Sequence, residues 1–189
     1  MMQQFLVWNR NGTIPMALAA LPLDPFFQLL RPSFQLREDG KVSISIVPVD
    51  EEHKEGWERL YQGYAAFYKV AQTPEMRARV WSWIRNPQHE VEGLVAQDGE
   101  GQLIGLTHFR PYSRPLMATT ACFLDDLFVD PAARGTGAAD ALIQAVADIA
   151  RERGWSLLRW ITAENNYRAR GVYDRLAQRT DWVTYDMKL

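Results

Sequence analysis

Leu127-Phe-Val-Asp-Pro-Ala-Ala-Arg134-Gly-Thr-Gly137-Ala-Ala139 is the stretch on which the fold turns. It leads from an apolar segment, through Asp-Pro, into a glycine-containing turn and on into an alanine-rich helical segment. Gly135 and Gly137 permit a tight turn and leave room for a ligand to approach the backbone. The N–H groups that open the helix have no intrahelical partner. They can hold a phosphate or pyrophosphate, and Arg134 can add charge-assisted bonds. A Gly-x-Gly pair alone also serves in purely structural turns. A P-loop needs Gly-x-x-x-x-Gly-Lys-Ser/Thr, and a dinucleotide fingerprint needs a third glycine at the opening of a βαβ unit. Neither pattern is present.

Immediately upstream, a strand is expected over 118–129. It ends in Phe123-Leu-Asp-Asp-Leu-Phe-Val129, which sets Asp125 and Asp126 inside an apolar run. Adjacent strand residues point to opposite faces, so at most one of the two faces a cleft directly. Such a carboxylate can accept an ammonium proton or attract a cationic amine. Both could equally be structural acids. Cys122 on the same strand reads as a small buried hydrophobe.

Working outward, Leu142, Val146 and Ile149 form one helix face, and Arg153-Gly154 closes that helix. A strand over Trp155–Ile161, a helix over Asn166–Ala177 and a closing strand over Trp182–Leu189 are expected to follow. Towards the N-terminus, Val42–Pro48 reads as a first strand. Asp50 caps the next helix, but the residue three places on is His53, so the capping box is incomplete. Trp57, Leu60, Tyr61, Tyr64 and Phe67/Tyr68 recur at helical spacing. Thr73-Pro-Glu-Met76 opens a second helix with Val80, Trp81 and Ile84 on its apolar face, ended by Asn86-Pro87. Val91–Gln97 and Gln102–Phe109 flank Asp98-Gly-Glu-Gly101 as an antiparallel hairpin, and Pro111–Pro115 reads as a loop. The order β-α-α-β-β-β-α-β-α-β suits one layered α/β domain.

Composition agrees. The chain has 189 residues, 47% hydrophobic and 23% charged, which excludes wholesale disorder. Residues 1–40, with Pro15, Pro22, Pro25 and Pro32, read as a Pro-rich N-terminal extension, and 42–189 as the folded domain. Lys+Arg 21 against Asp+Glu 23 gives net charge -2, with no global drive toward nucleic acid. One cysteine excludes an intrachain disulfide and a multi-cysteine zinc site, and His53, His89 and His108 are not spaced as a compact metal site. The longest apolar run, Ile14–Leu23, falls short of the about 20 residues that span a membrane. The expected compartment is the cytoplasm.

Arg134-Gly-Thr-Gly137-Ala-Ala139 matches Gln/Arg-x-x-Gly-x-Gly/Ala, and Asn166-Tyr-Arg-Ala169-Arg-Gly-Val-Tyr173 follows in order. Together they resemble the two central motifs of the GNAT superfamily of acyl-CoA-dependent N-acetyltransferases, over about residues 44–189. The resemblance implies a mixed, mostly antiparallel central sheet flanked by helices, with a splayed-strand cleft for acetyl-CoA as cosubstrate. The turn Arg134, Gly135, Thr136, Gly137, Ala138 and Ala139 would bind the pyrophosphate. Leu127, Phe128 and Val129 would line the pantetheine arm, held by the backbone of Leu127 and Val129. Asn166 would contact the cofactor, and Arg168 or Arg170 the 3′-phosphate. Tyr173 would protonate the leaving thiolate, with Asp125 or Asp126 on the acceptor side and the tips of Tyr61 or Tyr64 near the acceptor pocket. The implied reaction is direct attack by a primary amine in a ternary complex, with a polyamine, aminoglycoside or lysine-type amine as acceptor. A noncatalytic acyl-CoA-binding or sensor module on the same fold is the alternative. Homodimers are common in the family. Leu176-Ala-Gln-Arg-Thr-Asp-Trp182 departs from the Leu-Gly-Phe found in many relatives, which leaves the subfamily open.

Overall fold

The computed structural model describes residues 43–189. The Pro-rich segment 1–40 lies outside the described residues. Strand β1 (Ser45–Pro48) leads through a 3-10 turn, Glu51–His53, into helix α1 (Lys54–Phe67). The capping box that the sequence left incomplete is closed by a histidine. The Asp50 N–H donates to His53 Nδ1 at 2.9 Å, and the Asp50 carboxylate accepts the Glu51 N–H at 2.6 Å. An imidazole nitrogen can take the place of a glutamate oxygen because the position requires only an acceptor. Helix α2 (Pro74–Ile84) starts as the sequence predicts, with Thr73 Oγ1 accepting the Met76 N–H at 3.3 Å.

Strands β2 (Glu92–Gln97) and β3 (Leu103–Arg114) form the predicted hairpin, its turn held by Asp98 Oδ1, which accepts the N–H groups of Glu100 and Gln102. Strand β3 continues through Pro111, where the sequence suggests a loop. Its pairing with β2 ends at Phe109, so from Arg110 onward β3 has a partner, β4 (Thr119–Val129), on one side only. Proline is tolerated on such an edge because its missing N–H breaks no second ladder.

Helix α3 (Ala138–Glu152) carries the chain to β5 (Leu158–Arg159), and helix α4 (Tyr167–Leu176) follows. The sheet order is β1-β2-β3-β4-β5, antiparallel except for the parallel β4–β5 pair. That pair is short: Cys122 opposite Leu158 and Phe123 opposite Arg159. The expected Trp155–Ile161 strand is therefore reduced to its middle. The ladder stops just before an irregularity in β4, where His108 faces Asp126 but Phe109 faces Leu124. Asp125 is the extra residue of a bulge, and a bulge bends its strand.

The expected closing strand, Trp182–Leu189, is not formed. Residues 177–189 adopt no helix or strand and are exposed. Alternating apolar residues favour extended backbone, but a strand also needs a neighbouring edge. This segment is paired with no strand of the sheet, although β5, the outermost strand, has one open side.

Apolar side chains divide between the two faces of the sheet. Leu94, Ala96, Ile104, Phe109, Cys122 and Leu124 pack with Leu142, Ile143, Val146 and Ile149 of α3. Val95, Leu103, Leu106 and Phe128 pack with Trp57 and Leu60 of α1 and Trp81 of α2. Helix α3 lies close on β3 because Gly105 has no side chain. A Cβ there would come within 3.1 Å of Leu142 and of the Phe128 carbonyl. Among the described residues no helix is long and apolar enough to cross a membrane.

Leu142 is fully buried at this contact. Leu142→Ala is expected to destabilise the domain by about 2–5 kcal/mol in denaturant titrations, through lost burial and the cavity left behind. Leu116→Ala, at a 97% exposed site, should change stability by less than about 0.5 kcal/mol.

Candidate active site

The turn between β4 and α3 is built by local backbone requirements. Gly135 and Gly137 have φ of 92° and 94°, in the left-handed region where glycine avoids a Cβ clash. Asp130 steadies the entry. Its Oδ1 accepts the Ala132 N–H at 3.0 Å and its Oδ2 accepts from Arg59 at 2.6 Å; these contacts hold the carboxyl below its ordinary range. Arg59 also donates to the Leu103 carbonyl at 2.7 Å, tying α1 and β3 to the turn. Gly137 takes the N-cap position, so α3 has no side-chain cap. The first bond into the helix is from the Ala141 N–H to the Gly137 carbonyl at 3.0 Å. The amides of Ala138, Ala139 and Asp140 precede it and remain available to an anion.

A cleft of about 460 Å³ opens beside this turn. It brings together Leu127, Phe128, Val129, Arg134, Gly135, Gly137, Ala138, Ala139, Asn166, Arg168 and Tyr173, all expected near one ligand. Its backbone wall is β4 beyond Phe123, where pairing with β5 has ended. That edge leaves main-chain donors and acceptors facing the cleft. Thr136 is in the turn, but its hydroxyl is turned back onto the Ala133 carbonyl at 2.8 Å, and it does not line the cleft. Asn166 takes the N-cap position of α4 without a side-chain cap bond; its side-chain amide donates to Thr162 at 3.2 Å. Arg170 donates to the Glu164 carbonyl at 2.6 Å and, unlike Arg168, does not line the cleft. Tyr173 packs edge-on against Trp160 at 5.4 Å. Burial pushes its phenol up to about 12, with a smaller contribution from Tyr68. It therefore keeps its proton through the neutral and mildly alkaline range.

The bulge separates the two aspartates. Above it, Cys122 and Leu124 face α3; beyond it, Phe128 faces α1, two residues on from Asp126. One extra residue reverses the alternation of faces. Asp125 pairs with Arg110 at 3.2 Å. Burial lifts its carboxyl above the usual range, and Arg110 opposes that rise. Asp126 turns to the α1 side, where its Oδ2 is 2.8 Å from His108 Nδ1 and 3.3 Å from the Tyr61 hydroxyl. Burial raises the Tyr61 and Tyr64 phenols well above their ordinary value, and the Asp126 charge adds to it.

Sequence reasoning missed several neighbours. Phe67 lies beneath the Arg134 guanidinium at 5.8 Å from the ring centroid, and Tyr68 lines the cleft. Asp140, in the first turn of α3, pairs with Arg175 at 3.2 Å, which partly offsets a negative charge beside the anion-accepting amides. His108 is buried opposite Asp126. Its sequence signal was a Thr-His pair inside an apolar strand. Cys122 is fully buried, and desolvation pushes its thiol up to about 12, so it is poorly suited to act as a nucleophile.

Comparison with known proteins agrees with this geometry. The chain is 31% identical over 148 residues to the D-amino-acid N-acetyltransferase HPA3 of Saccharomyces cerevisiae, spanning 78% of this chain and 90% of the yeast protein. A crystal structure of a probable acetyltransferase superposes with a TM-score of 0.68 at 28% identity, covering 76% of this chain and 97% of the other. An aminoglycoside N-acetyltransferase, AAC(6')-Iy, solved with CoA, shares the fold with a TM-score of 0.67 at 21% identity, covering 81% of this chain and 99% of that one. The family model described as Acetyltransferase (GNAT) family matches residues 57–177. With the glycine turn, the uncapped helix start and the diverging strands already in place, the chain belongs to the acetyltransferase (GNAT) family, whose reaction is acetyl transfer from acetyl-CoA to an amine.

Proposed function

We propose that this chain transfers the acetyl group of acetyl-CoA directly to a primary amine, with both substrates bound together. The observation carrying this reading is that an anion-accepting helix start, an unpaired strand edge and a protonated phenol line one cleft. The pyrophosphate is assigned to the amides of Gly135, Gly137, Ala138 and Ala139, with Arg134 adding charge; Thr136 gives its N–H to the Ala133 carbonyl at 3.4 Å. Arg168 is assigned to the 3′-phosphate and Asn166 to the pantetheine side. The pantetheine amides pair with Leu127 and Val129 along β4, with Phe128 between them. The amine nitrogen attacks the thioester carbonyl, an N–C bond forms and the C–S bond breaks. Tyr173 supplies the proton to the departing sulfur. Asp126, or Asp125 through water, accepts the ammonium proton and passes it to solvent, and the second proton lost by the acylated nitrogen restores Tyr173.

The two carboxylates favour a cationic acceptor such as a polyamine, aminoglycoside or lysine-type amine. A second reading, a D-amino acid, is favoured by the similarity to the yeast enzyme. A thiol-release assay with acetyl-CoA across all these amines separates the two acceptor classes. Saturable acetyl-CoA binding with no turnover on any amine would favour the noncatalytic sensor module.

We also propose that the chain forms a homodimer through residues 182–189. Trp182, Val183, Tyr185, Met187 and Leu189 are all exposed, with Trp182 at 84%, and β5 is the outermost strand of the sheet. Their alternating pattern suits a strand added to the β5 edge of a second copy, which would bury these side chains and complete both ladders.

Four outcomes are expected. Gly137→Val should weaken CoA binding by at least about 10-fold in calorimetry, since a β-branched residue resists φ of 94°. Tyr173→Phe should lower kcat by roughly 10²-fold with little change in acetyl-CoA affinity; unchanged turnover would overturn its acid role. Because the phenol sits near 12, its deprotonation should not reduce kcat below about pH 11. Light scattering should give twice the chain mass for the full-length protein and one chain mass for Trp182→Asp/Tyr185→Asp; a monomeric full-length chain would refute the dimer.

A further inference from the structure

Asp126 is held by a chain of hydrogen bonds whose direction can be read from donor chemistry. Trp57 Nε1 lies 2.8 Å from His108 Nε2, and His108 Nδ1 lies 2.8 Å from Asp126 Oδ2. An indole N–H can only donate. His108 Nε2 must therefore present its lone pair, and the ring proton of the neutral imidazole must reside on Nδ1, pointing at Asp126. His108 is 1% exposed, so solvent does not compete for either nitrogen.

We infer that His108 is a positioning residue for the acceptor-side carboxylate: Trp57 fixes its Nδ1–H tautomer, and that N–H together with the Tyr61 hydroxyl holds Asp126 through a single oxygen. Both donors converge on Oδ2. Neither of them reaches Oδ1, the oxygen left to face the ammonium of the acceptor, with the Tyr64 hydroxyl as the carboxylate's further neighbour. Two donors on one oxygen fix the orientation of the carboxylate. The arrangement also excludes a proton relay through the ring. To become imidazolium, His108 would have to bring an Nε2–H against the Trp57 N–H, donor to donor. A proton taken up by Asp126 must leave again from Oδ1.

The surroundings contain few other charges. The ring meets Trp57 and Tyr61 of α1 and lies beside the Gly93 backbone of β2, where an added Cβ would be 3.4 Å from the imidazole. On the sheet, Asp126 is its direct partner, and Asp125 and Arg110 pair with each other nearby. Tyr64 is the remaining titratable group turned toward Asp126.

This inference rests on the reading of Asp126 as the acceptor-side carboxylate, and the two can be tested separately. In the full chain with ¹⁵N-labelled histidine, NMR should show the neutral His108 ring protonated at Nδ1 and bare at Nε2. Trp57→Phe should release the lock, so that the Nε2–H tautomer of His108 becomes populated in the same spectrum. Asparagine at 108 places its amide donor where Nδ1–H lies, whereas glutamine places it near Nε2. His108→Asn should therefore keep kcat within about 3-fold, and His108→Gln should lower it roughly 10- to 100-fold at unchanged acetyl-CoA affinity. Nε2 protonation in the wild-type spectrum, or equal kcat for the two His108 variants, would overturn the inference. The wild-type spectrum decides even where a variant does not fold. Asp126→Asn is the control: wild-type kcat there would sink the reading of Asp126 itself, whereas a loss there with an unaffected His108→Gln would sink only the role of His108.

Discussion

Strand β4 is paired to β3 along its whole length and to β5 at two residues only. Much of the site depends on this asymmetry. Backbone N–H and C=O groups need partners, and a strand inside a sheet ordinarily finds them on both sides. Past Phe123, β4 has them on one side. The divergence opens a wedge, and the wedge exposes a run of main-chain polar groups that an extended, amide-bearing molecule can match. The same strand delivers the chain to the glycine turn at the mouth of the wedge. Helix α3 starts there with its first amides uncapped. A flexible amide-containing arm and a doubly charged phosphate group would thus meet complementary surfaces a few residues apart in sequence. Neither surface needs a basic protein, which is consistent with a net charge of -2.

The Asp125 bulge sets the orientation of the acceptor side. Before it, as in the stretch that carries Cys122 and Leu124, the sheet presents these residues to α3; beyond it, alternate residues change faces. Without the extra residue, Asp126 would share a face with Leu124 and point into the apolar layer under α3, where a carboxylate would be costly. With it, Asp126 enters the aromatic layer of Trp57, Tyr61 and Tyr64, and His108 stands opposite to receive it. Helix α1 thereby supplies two things at once, apolar packing through Trp57 and Leu60 and polar tips aimed at one oxygen of Asp126. Arg59 on the same helix steadies the turn through Asp130. One helix therefore links the glycine turn and the Asp126 carboxylate.

Features governed by neighbours in sequence were legible in advance. Thr73 before Pro74 marked the start of α2, and Arg153-Gly154 marked the end of α3. The 3.6-residue period of Leu142, Val146 and Ile149 gave its buried face. Features governed by distant pairing were less legible. The Pro111 segment read as a loop because proline disfavours an inner strand, and only the end of β2 made that stretch an edge. His53 did not look like a capping partner because capping boxes are usually described by glutamate and glutamine. The Trp182–Leu189 pattern named a strand without naming what it would pair with.

By itself, the sequence determined the glycine turn, the helix it opens and, through two motifs in order, the family. These depend on backbone conformations and side-chain periodicities that short segments impose locally. The tertiary structure alone decided which aspartate faces α1, which nitrogen of His108 faces Trp57 and which faces Asp126, and where β4 and β5 part. Each of those is set by register between strands far apart in the chain, and a single inserted residue reverses it. Periodicity within one segment contains no information about the register of its partner.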